Sequence, residues 1–114
     1  MRYPVNLEDF GGGYKALRCP NCDECYLHQS DVAVFNRDED ADQIKVTTVA
    51  DDGGVHEAVI ANDVSLNPSP RRYGLRISFW CEHCDGGPDE DTIKKVPDLA
   101  IYQHKGQTFI EWID

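Results

Sequence analysis

Two Cys-x-x-Cys pairs, Cys19-Pro20-Asn21-Cys22 and Cys81-Glu82-His83-Cys84, stand at opposite ends of a long intervening segment, residues 23–80. A tight turn between paired cysteines aims both sulfurs at one point, and two such knuckles supply four thiolates in a tetrahedron. A fold that uses both knuckles therefore brings Cys19, Cys22, Cys81 and Cys84 together. The expected ligand set holds one structural Zn2+. Four thiolates leave no open position, as a catalytic zinc would need. An iron–sulfur cluster would use the same residue type.

Five cysteines are present. In a reducing compartment they read as ligands rather than disulfides. Cys25 continues the even spacing of Cys19 and Cys22, so Cys22 and Cys25 can also form the first pair. Pro20, which pre-sets the turn after Cys19, favours the Cys19 pair. Three cysteines with His28 or His83 form a further alternative.

Between and beyond the knuckles the chain reads as β-structure. Tyr14–Arg18 reads as a short strand leading into the first knuckle. Tyr26–Phe35, with Val32, Ala33, Val34 and Phe35, reads as a second strand; Gln43–Ala50 is rich in β-branched residues, and Asp51-Asp52-Gly53-Gly54 turns it into a hairpin with Val55–Ala61. Tyr73–Cys81 alternates clearly: Tyr73, Leu75, Ile77 and Phe79 on one face, Gly74, Arg76, Ser78 and Trp80 on the other. Leu99–His104 and Thr108–Ile113 form a final hairpin around Lys105-Gly106-Gln107. The acidic stretch Asp85–Val96 reads as a loop. Residues 1–13 read as an irregular arm ending in a flexible Gly11-Gly12-Gly13 joint, and residues 14–114 as one domain. No stretch repeats near 3.6 residues. The expectation is a mainly β domain, an antiparallel sheet of about five to seven strands.

The two knuckles, each joined to a strand, resemble the zinc-ribbon superfamily over about a third of the chain. A broader likeness, carried by Leu17–Cys22, Tyr26–His28, Asn67–Arg72, Phe79–Cys84 and Gln103–Trp112, is to small uncharacterised zinc-ribbon proteins of bacteria and their phages. That resemblance implies a zinc ribbon and no particular activity.

Composition narrows the function classes. The 114 residues carry a formal charge of −10, against the basic surface with which nucleic-acid binding usually begins. An acidic surface suits a basic protein partner. In a phage, that would be an acidic inhibitor of a basic host protein. No apolar run approaches the ~18 residues that span a bilayer. The N-terminus has no apolar signal core, so a cytoplasmic location is expected. Neither H-E-x-x-H nor a deaminase pattern occurs, and the carboxylates come in loop-like runs, so no enzyme is expected. Candidate surfaces are the Arg71, Arg72, Arg76 and Trp80 patch, suited to phosphates and bases, and the Tyr102, His104, Lys105 and Trp112 hairpin. Strand aromatics more often fill a core. The reading is a zinc-stabilised binding protein with a protein partner. A nucleic-acid-binding ribbon and a thiol switch centred on Cys25 are the alternatives.

Overall fold

Strands account for all the regular structure in the computed structural model, which describes residues 2–84 and 95–114. They are β1 (Arg2–Tyr3), β2 (Leu7–Asp9), β3 (Lys15–Leu17), β4 (Leu27–Asn36), β5 (Gln43–Val49), β6 (Val55–Ala61), β7 (Gly74–Cys81), β8 (Asp98–His104) and β9 (Gln107–Ile113). Seven form one sheet in the order β1-β9-β8-β7-β4-β5-β6, and β2 with β3 forms a separate ribbon. Every pairing is antiparallel. The expected sheet of about five to seven strands is thus present. Most of the acidic stretch expected as a loop, residues 85–94, lies outside the described residues.

The expected irregular arm contains two strands among residues 2–13. Tyr3 pairs with Trp112 on β9, and Leu7–Asp9 pairs with Lys15–Leu17. The strand expected at Tyr14–Arg18 is β3, whereas β1 and β2 are too short to show a periodicity, which hid them in the sequence. The triple glycine is the turn of the β2–β3 ribbon. Gly11, Gly12 and Gly13 all have positive φ, a run that residues with a Cβ rarely sustain. At the other end, Lys105 and Gly106 both have positive φ, as a two-residue hairpin turn requires, and His104 pairs with Gln107 across it.

Cross-strand register aligns the core. Trp112 lies opposite Leu99, and Leu99 opposite Ile77. Trp112 is fully buried, with Leu99, Val96, Cys19 and Cys81 in the same cluster. Tyr3, Val5, Leu17, Ile77 and Phe79 pack against it. Phe79 meets Trp112 edge-on, with ring centroids 5.6 Å apart. Phe35 and Ile44 are buried on the opposite face of the sheet.

Asn67-Pro68-Ser69 closes over β7. The Asn67 side-chain oxygen accepts from Ser69 N, its amide donates to Arg72 O, and Ser69 Oγ donates to Gln103 O at 2.7 Å. All three residues are buried, and Gly74 lies beneath them. A Cβ on Gly74 would sit 2.9 Å from both Asn67 Oδ1 and Pro68 Cγ. Gly74→Ala is expected to cost about 1–3 kcal/mol through this overpacking, read as a lower midpoint in denaturant unfolding at unchanged slope.

Candidate metal centre

Both knuckles are built from local backbone geometry. In the first, Cys19 O accepts from Asp23 N and Cys19 N donates to Glu24 O, each at 2.8 Å. The turn closes through Asp23, which takes φ +66°; aspartate is among the few residues with a Cβ that accept this conformation readily. The second knuckle grows directly from the end of β7. Cys81 pairs with Leu27 at the start of β4, and Glu82 N donates to Tyr26 O. The β4–β7 ladder thus carries the second knuckle up to the first.

Four cysteines meet there. The sulfurs of Cys19, Cys22, Cys81 and Cys84 all lie within 4.8 Å of one another. Cys19 Sγ is 3.8 Å from Cys84 Sγ, and Cys22 Sγ is 3.6 Å from Cys81 Sγ. These gaps are far too long for a disulfide. A tetrahedron of sulfurs around an ion at the zinc–thiolate bond length of about 2.3 Å has edges of about 3.8 Å. The spacing fits a single ion, as in a zinc ribbon. Cys19 and Cys81 are buried, while Cys22 and Cys84 are half-buried.

The electrostatics favour a cation between the sulfurs. Burial pushes the Cys84 thiol far above its ordinary range, and the neighbouring sulfurs add to the effect. Burial also raises Cys22, against an N–H donated by Glu24. Cys81 moves down: burial resists its ionisation, but the backbone N–H groups of Cys84 and His83 and the thiols of Cys22 and Cys19 outweigh it. Closely spaced thiols cannot all ionise without a counter-charge, which a divalent metal supplies.

Cys25 is not part of the cluster. It lines a shallow cavity with Glu8, Phe10, Arg18, Glu24 and Tyr26. The histidines named as alternative ligands also lie outside the four-sulfur group. His28 stacks on Trp80, with ring centroids 4.1 Å apart and planes 10° apart, and its Nε2 is 2.8 Å from Glu82 Oε1.

The remaining candidates take different places. Arg71 engages Asp40 through two nitrogens, at 3.0 and 2.6 Å, Arg72 engages Glu39 at 2.6 Å, and Arg76 engages Asp98 at 2.9 Å. The expected basic patch is therefore offset by acids from the 37–42 loop and the start of β8. Trp112, expected on a binding hairpin, is instead the centre of the core, because its face of β9 turns toward Leu99 and the first knuckle. Tyr102 donates to Glu111 and stacks on Phe109, with Arg2 over its ring. Burial and the Glu111 hydrogen bond raise its phenol. His104 is half-buried, and Lys105 belongs to the turn.

The sequence reading missed the exposed aromatics beside the knuckles. Phe10, Tyr14 and Tyr26 are 66%, 78% and 57% exposed. Phe10 and Tyr14 flank the glycine turn, and Tyr26 follows the first knuckle. The signal was available in their positions, since aromatics at turns and loop ends are poorly placed to enter a core.

Comparison with protein-family models, with curated proteins and with solved structures finds no match to this chain. Among the described residues no helix is long and apolar enough to cross a membrane.

Two outcomes are expected. Cys19→Ser and Cys81→Ser should abolish stoichiometric metal binding by elemental analysis, whereas Cys25→Ser should retain it. Chelation should destabilise the fold by several kcal/mol, of the ~10 kcal/mol order seen for small metal-folded domains. Separately, hydrogen bonds from Arg71 hold the Asp40 carboxyl below its ordinary range. Its folded-state value is lower than the unfolded one, so its contribution is full above the unfolded value near 4 and is lost as pH falls through the folded value. Unfolding midpoints measured from pH 6 downward should fall less steeply in Asp40→Asn than in the wild type.

Proposed function

We propose that this protein is a zinc-stabilised, non-enzymatic binding module whose partner is another protein. The observation that carries the reading is the closed four-sulfur cluster with its exposed aromatic surroundings. Four thiolates fill the coordination sphere of a zinc ion, so the metal's role is to fix the fold. A 114-residue chain with a modest core gains from such a staple. The metal then holds the β2–β3 ribbon and the Tyr26 segment in place, and these present Phe10, Tyr14 and Tyr26 to solvent. Aromatic side chains fixed on a rigid frame are the usual anchors of protein interfaces.

The formal charge of −10 suits a partner with a cationic surface, and an acidic inhibitor of a basic protein belongs to this reading. The nucleic-acid alternative loses support because Arg71, Arg72 and Arg76 spend their charge on Asp40, Glu39 and Asp98. The thiol-switch alternative loses support because Cys25 stands apart from the four clustered sulfurs.

Affinity capture with the zinc-loaded protein tests this function. The expected result is a specific protein retained by the wild type and lost with a Phe10→Ala, Tyr26→Ala double variant that keeps its metal. Recovery of nucleic acid without protein, with affinity falling steeply as salt rises, would reverse the reading. Iron in place of zinc on elemental analysis would move the site toward electron transfer.

A further inference from the structure

The two margins of the large sheet differ. One is β1, only two residues long, and so short an edge offers little to a new strand. The other is β6, seven residues long and paired with β5 along its whole length without a bulge. It has no proline, and its sole acidic residue is Glu57. Natural edges are usually blunted by proline, lysine, a bulge or a covering loop.

The hydrogen-bond phase of this edge can be read from its two ends. Ala50 N donates to Gly54 O, and Asn62 N donates to Asp42 O. In an antiparallel ladder every second residue bonds to its neighbour. Positions 54, 56, 58, 60 and 62 therefore face β5. Val55, Glu57, Val59 and Ala61 direct their backbone N–H and C=O groups outward. The side chains on those outward-bonding positions include Val55 and Val59, 60% and 64% exposed. Val49, opposite Val55, is also exposed.

We infer that β6 pairs with β6 of a second copy of this chain, antiparallel about a two-fold axis through Ala58. That register sets Val55 against Ala61, His56 against Ile60, Glu57 against Val59 and Ala58 against itself. Every outward N–H and C=O of the strand then finds a partner. The carboxylate of Glu57 faces a valine, and Val55 lies diagonal to Val59 of the other copy, within reach for an apolar contact. The neighbouring registers are worse. Centring on Glu57 opposes two carboxylates, and centring on Val59 leaves Val55 unpaired. A two-fold contact that uses the same patch twice closes the assembly at two copies. The inference goes beyond the proposed function and does not depend on the metal's identity.

Each copy carries −10, and the Asp51-Asp52 turn of one copy approaches the Asn62-Asp63 end of the other. Added salt screens this repulsion, so the dimer tightens with ionic strength.

Sedimentation and cross-linking of the metal-loaded full chain test the inference. The wild type is expected to dimerise in a concentration-dependent way, more tightly at high salt. Val59→Pro removes an outward N–H and leaves the β5 ladder intact; it should weaken the dimer at least tenfold while keeping its metal. In a Cys25→Ser background, Ala58→Cys should form an intermolecular disulfide on mild oxidation, because Ala58 alone faces itself, and Glu57→Cys should not. A wild type monomeric at all concentrations would overturn the inference. So would a dimer that Val59→Pro leaves intact, cross-linking at Glu57→Cys instead of Ala58→Cys, or β6 amides protected from exchange only by a different protein.

Discussion

Four sulfurs drawn to within 4.8 Å of one another set the conditions for everything else in this chain. Bringing Cys22 to Cys81 closes residues 23–80 into a loop, and the entropic cost of that closure is met only if the ends are held strongly. The sheet alone supplies part of the hold, through Leu27 opposite Cys81 and the Trp112–Leu99–Ile77 row. A metal held by the four thiolates would supply the rest. Cys19 and Cys81 belong to the hydrophobic cluster, so two of the four clustered cysteines are also core residues and the site is inseparable from the packing.

The polar layout follows the same economy. Nearly every guanidinium in the described residues has an acid to meet: Arg2 with Glu111, Arg18 with Glu8 and Asp23, Arg71 and Arg72 with the 37–42 loop, Arg76 with Asp98. Twenty-one acids against eleven bases leave a strongly negative remainder after those pairs form. Most of the pairs are exposed, so each contributes little to stability. Their larger effect is on recognition, because they remove free cations from the surface and leave its apolar and acidic features as what a partner meets.

Much of this was legible in the sequence, for identifiable reasons. The knuckles announce themselves because thiolate spacing is dictated by coordination chemistry. Strands β4 to β9 show because β-branched or apolar runs and turn residues bracket them. The short strands β1 and β2 were hidden, since pairs as brief as Arg2–Tyr3 owe their conformation to the strand beside them rather than to their own residues. The fate of Trp112 could not be told from alternation alone, which fixes which residues share a face but not which face is covered. The basic patch misled for a related reason: Asp40 and Asp98 are far from Arg71 and Arg76 in the chain and near them only after folding.

Between Gln29 and Val32 the ladder of β4 with β7 slips by a bulge. Strand side chains alternate strictly, so the slip resets which residues of β4 face which side. The segment that abuts the four-sulfur cluster and the segment that meets β5 are consequently out of phase, like two gears joined by a slipping clutch. The half near Leu27 answers to the cysteine knuckles, and the half near Phe35 to the apolar face it helps to fill. One continuous strand thereby serves two masters, and sequence change in either half need not be matched by compensating change in the other.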